Sequence, residues 1–200
     1  LPGSAALEKM PAVSLSQAGG MGEIMEHTEK LTQLDFWLES AGITFFCKEP
    51  MSRHTTLRIG GPAERLVCPD SERQFLMAAK FCRQLGLPIQ LIGRGSNLLV
   101  SDQGLPGVVL CPRAETGEQG CTGLEFAHGI PGTVGGAVYM NAGAYGGEMK
   151  DVVKEAVVLD DRGELLHLTG EELELGYRTS IVARRGYVVL RVSLCLEKGD

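Results

Sequence analysis

Apolar positions along this chain follow two rhythms. From Thr28 to Gly42, Leu31, Leu34, Leu38 and Ala41 recur at three- and four-residue intervals. That spacing predicts a short amphipathic helix with Trp37 near its apolar side and Gly42 as its stop. Phe75, Leu76, Ala79, Phe81, Cys82 and Leu85 repeat the rhythm after a turn and cap at Pro69-Asp70-Ser71, and predict a second helix that stops at Gly86. The other apolar runs are of strand length: Ala63 to Cys68, Pro88 to Ile92, Val108 to Leu110, Ala156 to Asp160, Leu165 to Leu168 and Tyr187 to Leu196. Asp160-Asp161-Arg162-Gly163 reads as a hairpin connection. Residues 43–56 read as an irregular lead-in and Pro112 to Cys121 as a polar loop. Strand, helix, strand, loop, strand is the order of an α+β or α/β nucleotide-binding lobe. The expected division is a mobile N-terminal segment over 1–27, a first lobe with its leading helix over 28–113, and a second, shortened lobe over 121–200.

Composition changes this picture in one respect. The 200 residues include 27 glycines, against an average usage of roughly 7%. Fourteen of them lie between Gly93 and Gly147. A formal net charge of −6 argues against a general nucleic-acid binder, which carries a basic surface. No run of 18 uncharged apolar residues is present, so no membrane-spanning helix is expected. The six cysteines form no C-x-x-C pair and sit at no metal-ligand spacing with histidine, which predicts reduced thiols in a cytoplasmic chain and no metal site.

Three constellations carry candidate chemistry. Gly93-Arg94-Gly95-Ser96-Asn97 leaves an apolar strand directly. Its two glycines let the backbone turn sharply, successive N–H groups in such a turn make an anion-binding concavity, and Ser96 and Asn97 add donors. This suits a phosphate or pyrophosphate, although the same pattern also serves a tight structural turn. It is not a P-loop, because no Gly-Lys-Ser/Thr follows. Between Gly129 and Glu148, seven glycines fall in 20 mostly apolar residues. A flexible linker would be polar, so this stretch is expected to be buried, with backbone lying flat against a planar ring, or else to mark close packing without a ligand. Thr133 and Asn141 would offer hydrogen bonds there. Last, Tyr177-Arg178-Thr179-Ser180 follows a turn at Leu175-Gly176. An arginine so placed is either a bidentate partner for a carboxylate or phosphate, or one more exposed surface cation.

In this order, the motifs resemble the UDP-N-acetylenolpyruvoylglucosamine reductase family. The matching segments are Thr55-Thr56-Leu57-Arg58-Ile59-Gly60-Gly61-Pro62-Ala63, Gly93 through Val100, Gly123-Leu124-Glu125-Phe126 through Asn141-Ala142-Gly143-Ala144-Tyr145-Gly146, and Tyr177-Arg178-Thr179-Ser180. The resemblance covers roughly residues 30–197. It implies an α+β fold, the two-lobed FAD-binding domain of the vanillyl-alcohol-oxidase type, without the C-terminal substrate domain. It implies FAD and NADPH as cofactors, a UDP-sugar as the small-molecule substrate, no nucleic-acid or membrane partner, and a monomer. The implied reaction reduces UDP-N-acetylglucosamine enolpyruvate to UDP-N-acetylmuramate in peptidoglycan precursor synthesis, which serves cell shape and division. The cofactor would be held by Thr56, Gly93, Gly95, Ser96, Asn97, Leu98, Ile130, Gly132, Thr133, Gly136 and Ala137. Tyr177, Arg178 and Asn141 would bind substrate, with Arg178 as the catalytic cation on the enolpyruvyl carboxylate. The sequence departs from the family in having seven residues between Arg113 and Cys121, where several tens are usual, and in ending at Asp200, before the family's proton-donating serine and catalytic glutamate. A non-catalytic FAD-binding module and a glycine-rich interaction domain are the competing readings.

Overall fold

The computed structural model describes residues 21–112 and 121–198. In chain order these form α1 (Met21–Ser40), β1 (Thr44–Pro50), β2 (Pro62–Cys68), α2 (Glu72–Gln84), β3 (Ile89–Leu91), β4 (Leu105–Leu110), β5 (Cys121–Thr122), α3 (Val134–Tyr139), β6 (Gly143–Ala144), β7 (Gly147–Glu148), β8 (Val153–Leu159), β9 (Leu165–Thr169), α4 (Ile181–Arg185), β10 (Val188–Leu194) and β11 (Glu197–Lys198). Two sheets dominate: a four-stranded one in the order β1-β2-β4-β3 and a three-stranded one in the order β10-β8-β9.

The first sheet is mixed. β1 runs antiparallel to β2, while β2-β4 and β3-β4 are parallel. It is covered on both faces, so its inner strands end in continuous apolar runs, Leu66–Cys68 in β2 and Val108–Leu110 in β4, rather than in alternation. Val67, Val108 and Leu110 point to the face carrying α1 and α2, where they meet Leu34, Leu38, Phe75, Ala79 and Cys82. Leu66 and Val109 point the other way, onto Met51, Ile92 and Val100. α2 forms where its pattern predicts. The Ser71 hydroxyl accepts the N–H of Gln74 at the N-cap, and Gly86 follows in a left-handed conformation. Trp37 of α1 stacks on Phe81 of α2 with ring centroids 4.6 Å apart.

The second lobe packs β8 and β10 with α3, α4 and the 3₁₀ turn Glu125–Ala127 around Val138, Ala156, Val158, Leu173 and Val182. The lobes are not independent. Leu159, Val188 and Leu190 from the second sheet pack into the α1–α2 core. An Arg83 guanidinium N–H donates to the Asp160 carbonyl at 3.0 Å, and Arg191 reaches Glu72 at 2.9 Å.

Four local expectations need correction. Residues 21–27, expected to be mobile, are the first turns of α1; most of this stretch is exposed, so it carries no apolar stripe to betray a helix. The lead-in over 43–56 is not irregular: it contains β1 and a 3₁₀ turn at Met51–Arg53. The glycine-rich stretch contains the short helix α3, capped by Thr133, whose hydroxyl accepts the Gly136 N–H. A further short helix, α4, follows Ser180 and ends at the left-handed Gly186. The shortened connection after Arg113 lies over 113–120, outside the described residues.

Candidate cofactor and substrate site

The first two constellations and the Thr55–Ala63 segment meet in one place. Thr56 donates its N–H to the Gly95 carbonyl at 3.1 Å. Gly95 is buried with φ +62°, and a methyl group there would overlap the His54 carbonyl oxygen. On the other side, the Ser96 hydroxyl donates to the Pro131 carbonyl at 2.8 Å. A side chain at Gly93 would run into the Thr133 hydroxyl at 2.8 Å, and one at Gly132 would come within 3.6 Å of Ser96 Oγ. The 93–96 loop is therefore wedged between 54–56 and 131–133. Thr56, Gly93, Gly95, Ser96, Gly132 and Thr133 come together there; Gly136 lies one turn into α3, exposed. Asn97 is exposed, Leu98 packs under the sheet, and Ala137 packs into the second core. Ile130 is half-buried, its N–H bonded to the Ala127 carbonyl.

The glycine-rich stretch is not buried as expected. Gly129, Pro131, Val134, Gly136 and Tyr139 are exposed, and Val138 faces the core. The short helix has one apolar side to satisfy, so the opposite side is left open as a surface. The glycines also divide by role. Gly95 is required by packing against backbone, whereas Gly136 has only the Thr133 hydroxyl at 3.3 Å from where its side chain would start.

The chemistry of this surface is that of amide donors. Among the described residues, the N–H groups of residues 94–97 and 132–135 donate to no protein acceptor. Several of these are the first N–H groups of α3, which have no intrahelical partner, and all are left available to a ligand or to water. Two adjacent rows of them suit the oxygens of a pyrophosphate, and the open face of α3 suits a flat apolar ring. The residues present thus fit FAD.

Behind the loop, His54 Nε2 lies 3.0 Å from Glu49, which Arg53 also approaches at 3.6 Å. This ion-pair group fixes the segment on which Gly95 rests. Among the described residues, no cluster of His, Cys, Asp and Glu could hold a metal ion, and no helix is long and apolar enough to cross a membrane.

The third constellation forms a tight turn. Gly176 and Thr179 exchange N–H···O bonds of 3.0 and 3.2 Å, and Arg178 sits between them with φ +54°. A non-glycine residue in that region is strained and is held there by its surroundings. Tyr177 and Arg178 are exposed at the tip, and neither side chain has a hydrogen-bond or ion-pair partner among the described residues. Asn141 is placed differently from Tyr177. It is 3% exposed, and its amide is bonded to Glu148, Gly176 and Lys150. Glu148 in turn pairs with Lys150 and holds that ammonium above its ordinary pKa through a hydrogen bond and charge. Glu148 was not expected from the sequence, and Ser180, quoted there only as the end of the Tyr177–Ser180 motif, is buried, caps α4 and donates its hydroxyl to the Tyr139 carbonyl at 2.6 Å. Ser180 carries a signal in hindsight, as an N-cap residue ahead of Ile-Val-Ala; Glu148 carries none.

With this geometry in place, comparison with known proteins is decisive. A family model described as an FAD binding domain matches residues 113–169. The reductase named UDP-N-acetylenolpyruvoylglucosamine reductase of Alkaliphilus oremlandii is 47% identical over 177 residues, covering 76% of this chain and 58% of that protein. Over the part it spans, the chain is homologous to proteins named UDP-N-acetylenolpyruvoylglucosamine reductase. It spans little more than half the length of that curated relative. The alignment occupies 177 positions but uses 76% of the 200 residues, about 152, so about 25 positions of the relative face no residue here. The crystal structure of the Thermus caldophilus reductase of the same name superposes with a TM-score of 0.65 at 32% identity, covering 79% of this chain and 63% of that one. Glucooligosaccharide oxidase from Acremonium strictum shares the fold, with a TM-score of 0.51 at 16% identity over 82% of this chain and 42% of that one. The fold is the α+β, two-lobed FAD-binding domain of the vanillyl-alcohol-oxidase type.

Proposed function

We propose that this chain holds FAD in the surface between the 54–56, 93–97 and 131–137 segments. As part of a UDP-N-acetylenolpyruvoylglucosamine reductase, it serves the NADPH-dependent reduction of UDP-N-acetylglucosamine enolpyruvate in the cytoplasm. It works as a monomer, with neither nucleic acid nor membrane as a partner, in peptidoglycan precursor synthesis and so in cell shape and division. The observation that carries this reading is the convergence of two rows of unpartnered amide donors, joined by the Ser96–Pro131 bond, beside an open helix face. The two lobes divide as residues 21–112, with the whole of α1, and 121–198, with the cofactor between them.

FAD, when bound, supplies the hydride carrier between NADPH and the enolpyruvyl double bond. The residues of this chain do the rest of what falls to it. Amides of 94–97 and 132–135, with Ser96, Asn97, Thr56 and Thr133, donate hydrogen bonds to the pyrophosphate and orient it. Gly93, Gly95, Gly132 and Gly136 keep side chains out of that space; Leu98, Ile130 and Ala137 pack beneath it. The Arg178 guanidinium, with no carboxylate paired to it among the described residues, binds the substrate carboxylate and stabilises the negative charge that develops next to it during reduction. Tyr177 flanks that carboxylate at the turn tip.

The test is direct. Purified chain with added FAD should retain a yellow chromophore with flavin absorbance bands, and Arg178→Ala should leave that retention unchanged while abolishing any substrate-dependent NADPH oxidation. A folded chain that stays colourless in excess FAD overturns the proposal.

A further inference from the structure

Asn141 is read from the sequence as a substrate ligand, yet its hydrogen bonds point into the protein. Both amide N–H groups are used, one to Glu148 Oε2 at 2.8 Å and one to the Gly176 carbonyl at 3.1 Å. Its carbonyl accepts the Lys150 N–H at 2.9 Å. Flipping the amide would set its oxygen against a carboxylate and a carbonyl, so the network fixes its orientation. No donor is left over, and the residue is 3% exposed. Its backbone is also committed: φ is +45°, and its N–H bonds back to Val138 in α3.

What Asn141 grips is the base of the Arg178 turn. The Gly176 carbonyl takes the Asn141 bond and the Thr179 N–H together. The other edge of the turn is held two residues earlier in the chain, where the Ser180 hydroxyl donates to the Tyr139 carbonyl. Both clamps sit at the C-terminal end of α3, whose N-terminal end is Thr133 and the glycine surface. A six-residue helix is about 9 Å long. One short rigid element thus joins the surface assigned to the cofactor to the turn that carries the cation.

We propose that Asn141, supported by Glu148, is a positioning residue: it holds the Gly176–Thr179 turn, and with it Arg178, at a fixed place relative to α3, and does not itself touch substrate. The clamp stands on geometry alone; only the identity of what Arg178 binds rests on the reductase reading.

Trypsin reads the clamp directly, because Arg178 lies in the exposed turn. In the full chain, Asn141→Ala and Asn141→Asp should be cut after Arg178 about 10-fold faster than wild type, as expected for loss of a buried hydrogen bond that keeps the turn closed. Cleavage after the exposed Arg94, a remote reference, should not change. Glu148→Gln, which still offers an oxygen to the Asn141 amide, should stay near wild type, and Glu148→Ala should lie between. Equal rates after Arg178 in wild type, Asn141→Ala and Glu148→Ala overturn the proposal, as does acceleration at Arg94 to the same degree, which signals general unfolding. In FAD-loaded chain titrated with UDP-N-acetylglucosamine enolpyruvate and followed by flavin absorbance, Asn141→Ala/Arg178→Ala should bind no more weakly than Arg178→Ala. Additive losses would mean that Asn141 contacts the ligand and overturn the proposal. Failure to retain flavin sinks the functional reading, and the trypsin rates still decide the clamp.

Discussion

Gly95 and Gly136 lie in the same candidate surface but should respond oppositely to a methyl group. At Gly95 the added carbon would overlap the His54 carbonyl oxygen and lie 2.9 Å from its carbon and 3.1 Å from the Thr55 Cα, all of it backbone. The loop must then retreat by more than a bond length, which breaks the 3.1 Å bond from Thr56 to Gly95, worth about 1 kcal/mol. Holding alanine at φ +62° costs about 1–2 kcal/mol more. Gly95→Ala should therefore lose about 2–3 kcal/mol, which at this chain length is a fall in Tm of about 4–12 °C. Gly136 is a helix position with a normal φ and open space outward, where alanine gains up to about 1 kcal/mol of helix propensity. Its nearest neighbour, the Thr133 hydroxyl at 3.3 Å, offsets part of that gain, so Tm should move by no more than about 3 °C. Gly136→Leu should likewise fold, but its side chain occupies the surface assigned to the flavin and should weaken FAD binding by about 10-fold or more, equivalent to about 1.4 kcal/mol. Thermal unfolding without FAD, followed by flavin fluorescence titration, separates the two effects. Undiminished stability in Gly95→Ala, or full flavin affinity in Gly136→Leu, would refute the reasoning.

Three further outcomes follow from the first lobe. Asp35→Ala removes the carboxylate that Arg65 grips at 2.6 and 2.7 Å between α1 and β2, and should cost about 1–3 kcal/mol in denaturant unfolding, because the half-buried guanidinium is left unpaired. Burial alone would raise the Glu64 carboxyl, but the Gly107 N–H and the nearby His27 and Lys48 outweigh it and hold its pKa below the ordinary value. With the folded pKa depressed, the stability it contributes is present above the ordinary carboxylate range and is lost as pH falls through it, so Glu64→Gln should flatten the acid limb of a stability–pH curve. The Cys82 thiol is pushed up to about 12 by burial, so at pH 8 it should resist thiol reagents in the native state while the exposed Cys47 and Cys195 react at once.

How much of this was legible in the sequence varied with burial. α2 announced itself because an apolar stripe, a serine cap and a terminal glycine agree. β2, β4 and β8 were legible because each contains a buried apolar run bounded by turn residues, and β9 because its exposed and half-buried positions alternate after the Asp160–Gly163 turn. β1 was not, since Thr44–Pro50 is an edge strand with most of its side chains exposed and leaves no alternation to find. α3 hid behind two central glycines, which have poor helix propensity; a single buried valine and the Thr133 cap hold it. In the candidate site, the turn at Gly93–Asn97 and the turn carrying Arg178 were expected from residue type and spacing, and both are turns in the structure. The role of Asn141 could not be read that way, because whether an amide faces a ligand or a neighbouring carbonyl is decided by residues 7 and 35 positions away.

The sharing of Leu159, Val188 and Leu190 with the α1–α2 core has a consequence for synthesis on the ribosome. The first sheet and its two covering helices are complete once Leu110 has emerged, but the part of their core that Leu159, Val188 and Leu190 cover stays open until Leu190 arrives about 80 residues later. At about 5–20 residues per second, that is an interval of about 4–16 seconds in which an apolar surface waits in the open. During it the nascent chain is a natural client for holdase chaperones, and slow codons between these points would lengthen its exposure.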